Sequence, residues 1–163
     1  MVEKLRLYLE TSFWRRLVDE ADHRRRRSSW KFLRAVERRH AILVSDLVFA
    51  EAKLERDPQR RDRARTRLNR TRKHVLRLRS SVTDLAEQLL DEGHWSDRRL
   101  ADLTHLALAI LGRADAVVTW NLRDLARPRM REVLRAVCSR RGYNQPKVGT
   151  PQEVSQWFGI SAM

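Results

Sequence analysis

The chain has 163 residues, 42% of them hydrophobic, which suits one domain with a proper core and excludes a disordered chain. No apolar run approaches the ~20 residues of a membrane span, and MVEKLRLYLE at the N-terminus lacks the apolar stretch and cleavage site of a secretory signal. The lone Cys138 excludes an intramolecular disulfide or a cysteine-built zinc site, and a net charge of +14, from 35 Lys and Arg against 21 Asp and Glu, points to polyanionic partners in a reducing cytoplasm.

In chain order, the alternation of Leu5, Leu7 and Leu9 predicts a short strand. Glu10-Thr11-Ser12 is a polar break with helix-capping hydroxyls, and Phe13, Trp14 and Leu17 begin a helix. The run from His23 to Arg27 reads as a loop, and Trp30, Phe32, Leu33 and Val36 mark a second amphipathic helix. Residues 41–44, Ala-Ile-Leu-Val, are apolar throughout, as buried parallel strands tend to be. Ser45 and Asp46 suit the cap of a helix whose apolar side is Leu47, Val48, Ala50 and Leu54. Residues 56–79 hold eleven Lys or Arg against two Asp, a local net charge of +9, with a candidate strand at 75–78. Ser80 or Ser81 is expected to cap a helix carrying Val82, Leu85, Ala86, Leu89 and Leu90, ending at Gly93.

Leu100 to Leu111 is a strongly apolar helix stopped by Gly112. Residues 116–119 form another buried strand, and 120–124 the loop after it. Residues 129–137 are helical, with an end near Gly142, and 147–149 make a last short strand. Thr150 then caps a final helix with Pro151 at its first position. Short apolar strands alternating with helices, with no repeat and no Pro/Gly-rich linker, predict an α/β fold: one domain over 1–163 with a parallel sheet covered on both faces. Ligands of such sheets sit beyond the carboxyl ends of the strands.

Those ends carry acids. Glu10 follows the first strand, and Asp46 the second, with Glu51 one to two helical turns on. Asn121 and Asp124 follow the strand at 116–119, and Asp102 sits near the start of an apolar helix, where the macrodipole favours an anion. Each has an ordinary alternative: a solvated helix residue for Glu51, dipole compensation for Asp102, a turn for Asp124. Together they converge in a parallel α/β fold. Crowded carboxylates repel one another and call for a cation. Oxygen ligands suit Mg²⁺ or Mn²⁺, which polarise phosphodiesters and activate water.

The blocks LYLETS (7–12), VSDLVFAE (44–51), ADLTHLALA (101–109) and VVTWN (117–121), with GTPQEV (149–154) behind them, resemble the PIN domains, especially the VapC-type toxin ribonucleases. The resemblance spans nearly the whole chain. It implies a three-layer α/β/α sandwich with a central parallel sheet of four or five short strands, and endonucleolytic cleavage of RNA at a cluster of acids holding Mg²⁺ or Mn²⁺. Position by position, Glu10 stands where the family usually has Asp. Glu51 and Asp102 match the second and third acids, and Asn121 stands at a fourth position that is often Asp, with Asp124 close enough to substitute. Thr11 and Ser12 match the hydroxyls after the first acid, and Thr119 is the strand-end hydroxyl. The likeness also implies a homodimer and a cognate antitoxin protein.

Arg24, Arg25 and Arg26, with Arg61, Arg65, Arg67 and Arg72, are candidates for RNA phosphates, against the alternative of solvated helix faces. Trp120 lies near the site and could stack on a base; His105, at i+3 from Asp102, is more often a packed core histidine than a ligand. Three functions follow in order: a metal-dependent endoribonuclease, a catalytically weak RNA-binding module, and a DNA-binding protein, for which there is no recognition-helix motif.

Overall fold

The apolar runs pair into one all-parallel sheet. Its strands are β1 (Arg6–Leu9), β2 (Ala41–Ser45), β3 (His74–Leu76), β4 (Ala116–Val118) and β5 (Lys147–Gly149), in the spatial order β3-β2-β1-β4-β5. The computed structural model describes residues 3–161; residues 1, 2, 162 and 163, which the expected domain includes, lie outside the described residues. In register, Tyr8 faces Leu43 on one side and Val117 on the other, and Leu7, Tyr8 and Leu9 are fully buried, as a central strand covered on both faces requires.

The helices are α1 (Thr11–Leu17), α2 (His23–Val36), α3 (Asp46–Ala52), α4 (Pro58–Arg70), α5 (Ser80–Gly93), α6 (Leu100–Leu111), α7 (Leu122–Leu125), α8 (Pro128–Arg141) and α9 (Pro151–Phe158). They form two packed groups: α1 meets α2, α3 and α4, and α2 meets α9, while α5 meets α6 and α8. Crossover handedness explains the division. The chain steps one way across the sheet from β1 to β3 and the other way from β3 to β5, so right-handed connections place the intervening helices on opposite faces. This is the three-layer α/β/α sandwich. Among the described residues, no helix is long and apolar enough to cross a membrane.

The same reversal positions the site. β1 sends the chain toward β2 and β4 sends it toward β5, so a crevice opens beyond the carboxyl ends of β1 and β4. The ladder continues into this crevice, with the Glu10 N–H donating to the Val118 carbonyl at 3.1 Å and the Thr119 N–H to the Gly149 carbonyl at 2.9 Å.

Several local expectations change. The arginine run at 23–27 is not a loop but the first turn of α2, because the Asp22 carboxylate accepts from the Arg25 N–H at 3.1 Å and caps it. Residues 58–70 form α4, started by the Asp57 carboxylate on the Gln59 N–H and by Pro58 in the first turn. Its buried side is Ala64 and Leu68, too little apolar signal to stand out among so many arginines. α3 ends at Ala52 and buries Val48 and Ala52, leaving Leu54 beyond it 74% exposed. Arg79, not a serine, occupies the cap position of α5 and makes no side-chain cap bond. The expected loop at 120–124 contains the start of α7. The final helix has the full capping box, with Thr150 and Glu153 bonded reciprocally.

If Asp22 starts α2, Asp22→Ala should lower stability by about 1 kcal/mol, or a melting-temperature drop of roughly 2–4 °C for a chain of this size. Thermal melts followed by far-UV circular dichroism check this, and an unchanged midpoint would return residues 23–27 to a loop.

Candidate metal centre

Glu10 is the first residue past β1 and the cap of α1, and its own carboxylate does the capping expected of the hydroxyls after it. Glu10 Oε2 accepts from the Ser12 N–H at 3.2 Å, the Ser12 hydroxyl at 2.5 Å and the Thr119 hydroxyl at 2.8 Å. The side chain is 5% exposed, so these donors replace the water that it lost. Ser12 and Thr119 also tie β1 to the loop after β4. The Ser12 oxygen accepts from the Trp120 N–H at 2.8 Å, and the Thr119 oxygen from the Asn121 N–H at 2.9 Å.

Glu51 comes from the last turn of α3. Its Oε1 meets the Thr11 hydroxyl at 2.5 Å and His105 Nε2 at 2.6 Å. Burial pushes this carboxyl up, but the hydrogen bonds from His105 and Thr11, with the charge of Arg15, outweigh it and hold Glu51 below the usual carboxylate range. His105, on α6, is 1% exposed and reaches Tyr8 Oη with Nδ1 at 2.7 Å; Tyr8 in turn meets Ser45 Oγ at 2.8 Å. Burial holds the Tyr8 phenol protonated, far above its ordinary range.

One ligand atom from each of Glu10, Glu51 and His105 lies within 4.8 Å of the others. Asp102 stands outside this trio. Its Oδ1 accepts from Asn121 Nδ2 at 3.4 Å, and its carboxyl is pushed up to about 6, first by burial and then by the negative charges of Asp124 and Glu10. Two carboxylates within ligand reach of each other, and a third whose proton is held by burial and by the charges of Asp124 and Glu10, fit a hard divalent cation. Asp124 is bonded to Arg99, so its charge is already compensated by a guanidinium. Asp46 also lies away from the trio, accepting from Arg77 and from the Leu78 N–H, each at 3.1 Å.

Sequence reasoning noted His105 but missed its bond to Glu51, and it missed Tyr8 and Arg99. The signals were thin: a tyrosine in the middle of an apolar strand, and the i+3 spacing from Asp102.

The candidate RNA-binding arginines fall on separate surfaces. Arg25 lies over the Trp120 ring, 5.3 Å from its centroid, and Trp120 Nε1 donates to Ser29 Oγ at 2.8 Å, which places Arg25 beside the loop after β4, while Arg24 lines a groove with Pro151 and Gln152. Arg61 and Arg65 line a groove with Phe49 and Leu68, whereas Arg67 sits over Trp30 at 4.6 Å and lines another with Arg26 and Arg63. Helical geometry separates the two sets around α4. Arg72 follows the end of that helix.

Residues 7–128 match the PIN domain family. Among solved structures, VapBC2 from Rickettsia felis, bound to a DNA fragment from their promoter, superposes with a TM-score of 0.58 at 16% identity, covering 77% of this chain and 96% of that one. VapC20 from Mycobacterium tuberculosis, a sarcin–ricin loop cleaving toxin, superposes with a TM-score of 0.55 at 20% identity, covering 74% and 93%. No curated protein matches the chain.

The raised pKa of Asp102 has a definite sign in stability. The folded protein holds this proton more tightly than the unfolded chain does, so ionised Asp102 costs stability above about pH 6, and the cost is relieved as pH falls through that value. In chelator, Asp102→Asn should therefore raise the melting temperature most at pH 7.5, less at pH 4.5, and hardly at all at about pH 3, below the ordinary aspartate value. Equal shifts at the three pH values would remove Asp102 from the repelling cluster.

Proposed function

Because the chain belongs to the PIN domain family, we propose that it is a metal-dependent endoribonuclease in which Glu10, Glu51 and Asp102 hold Mg²⁺ or Mn²⁺. The observation that carries this reading is the meeting of Glu10 and Glu51 at the crevice between β1 and β4, with Asp102 in the field of Glu10. When bound, the cation supplies a Lewis acid for a phosphodiester and acidifies water. Ser12 and Thr119 hold Glu10, and Thr11 holds Glu51, so both carboxylates keep one geometry while RNA enters. Asp102 completes the ligand set directly or through water. Asn121, beside it, orients water through its amide and adds no charge. Arg99, already at Asp124, lends positive charge to the phosphate side of the site.

RNA as the substrate class is supported by the net charge of +14, by the arginine turn next to Trp120, and by the likeness to VapC20, a sarcin–ricin loop cleaving toxin. The likeness to VapBC2 supports a toxin role with a cognate antitoxin protein. We place the chain, as one domain and as a homodimer, in the cytoplasm. The second reading, a catalytically weak RNA-binding module, is favoured by Asn121 at the fourth position and by the pairing of Asp124 with Arg99.

Two experiments decide between them. Asp102→Asn keeps the side-chain shape and removes one charge; cleavage of a mixed RNA pool in Mn²⁺ should fall by ~100-fold or more, as for a site that loses an anchor of its Lewis acid, while RNA binding persists. Asn121→Asp should tighten Mn²⁺ binding. Equal cleavage by wild type and Asp102→Asn would favour the binding module.

Reversing Arg24 and Arg25 to Glu should weaken RNA binding and flatten its log–log salt dependence, by about 0.7 for each phosphate of a single strand that is no longer neutralised. The same reversal at Arg61 and Arg65, on the groove lined by Phe49 and Leu68 and away from Trp120, should cost less. A slope unchanged by the first pair would make the arginine turn a solvated face.

A further inference from the structure

A buried polar chain runs behind the carboxylates. It starts at the Val48 N–H, which donates to Ser45 Oγ at 3.2 Å, and passes through Tyr8 Oη and His105 to Glu51 Oε1. Ser45 and Tyr8 are fully buried and His105 nearly so. Hydrophobic side chains would fill these positions at lower cost in desolvation unless the polar atoms had work to do.

We propose that His105 is a positioning residue, not a metal ligand: its Nε2–H clamps Glu51 Oε1, so that Oε2 is the oxygen presented to the divalent cation, and Tyr8 and Ser45 lock the imidazole from behind. This inference rests on the metal-dependent reading above. The rival is ligation by His105 itself, whose ligand atom lies within 4.8 Å of those of Glu10 and Glu51.

Proton accounting favours the clamp. Glu51 Oε1 already accepts from the Thr11 hydroxyl at 2.5 Å and a carboxylate oxygen has no hydrogen to give, so the Nε2 facing it at 2.6 Å carries the proton. A protonated ring nitrogen has no lone pair for a cation. The other nitrogen, Nδ1, is engaged by Tyr8 at 2.7 Å. One arrangement satisfies every atom without net charge on the ring. Ser45 accepts from Val48 and donates to Tyr8; Tyr8 donates to Nδ1; Nε2–H donates to Glu51. The Thr11 hydroxyl adds a second donor to the same Oε1, so Oε2 is the oxygen left for a cation. Ser45 also caps α3, the helix that carries Glu51, so one serine fixes that glutamate through the helix start and through the side-chain chain. The residue that resembles a ligand is thus the donor that fixes a ligand's orientation, as outer-shell partners of metal sites do.

The test uses the full chain and Mn²⁺ alone, with affinity measured by calorimetry and fold checked by thermal melts. His105→Gln keeps an N–H at the reach of Nε2 and should bind Mn²⁺ close to wild type. His105→Asn keeps a group facing Tyr8 but loses the donor to Glu51; it should bind roughly 10–100-fold more weakly, the usual cost of removing an outer-shell partner. Tyr8→Phe, which removes the rear lock and keeps the ring, should weaken binding less than His105→Asn. Electron spin echo of the Mn²⁺-loaded wild type should show no directly coordinated imidazole nitrogen. In metal-free protein, ¹⁵N shifts should show His105 protonated at Nε2, with the signal moved by Glu51→Gln. An imidazole nitrogen on Mn²⁺, an unprotonated Nε2, or equal Mn²⁺ affinity in wild type and folded His105→Asn each overturns the clamp. Absence of Mn²⁺ binding by the wild type overturns both the metal reading and this proposal. Weakened binding in His105→Asn alongside a wild type that cleaves no RNA upholds the clamp and overturns the ribonuclease reading.

Discussion

The constraint on which the rest of the site depends is the repulsion among buried carboxylates at one end of the sheet. Glu10 is almost wholly buried, Glu51 stands within ligand reach of it, and burial together with the negative charges of Asp124 and Glu10 lets Asp102 hold its proton to about pH 6. Such a cluster costs stability unless donors and cations offset it. Each acid meets the problem differently. Glu10 receives two hydroxyls and a backbone N–H, Glu51 a hydroxyl and an imidazole, and Asp124 a guanidinium. Asp102 has the weakest compensation, a long bond from Asn121, and it is the acid whose pKa moves furthest upward.

The donors also bind the fold together. Ser12, in the first turn of α1, and Thr119, just past β4, share Glu10, so the loop after β4 is set by the same hydroxyls that orient the first acid. His105 reaches from α6 to Glu51 on α3, which lie in the two different helix groups. Local stability and site geometry are thus one set of hydrogen bonds, and a single substitution there acts on both.

The positive charge is organised rather than spread evenly. Arg16, Arg60 and Arg63 are engaged with Asp19, Asp57 and Glu20, and Arg99 with Asp124, while Arg25, 3.6 Å from Asp22, is held over Trp120 beside the loop after β4. Capping by Asp22 places it there: an open loop would hold the same charges without a fixed direction.

The sequence by itself determined the alternation of strands and helices, because burial on both sheet faces demands uniform apolar runs, and 41–44 and 116–118 carry them plainly. It also carried the capping box at Thr150 and the helix stop at Gly112, which are local chemistry. It was weaker where charge hides periodicity: α4 buries only Ala64 and Leu68 of a strongly basic helix, and the turn at 23–27 depends on one aspartate. Glu10, Glu51 and Asp102 could be marked as acids beyond strand ends, since strand direction alone sends those positions to one side. Their inequality could not. Which acid is clamped, which is paired to Arg99 and which is left to hold a proton depends on hydrogen bonds between residues 19 to more than 100 positions apart, as between Asn121 and Asp102 or Thr119 and Glu10. Those bonds were decided by the tertiary structure, because the reversal of crossover direction at β1 and β4 is what brings the strand ends, and the helices beyond them, to one crevice.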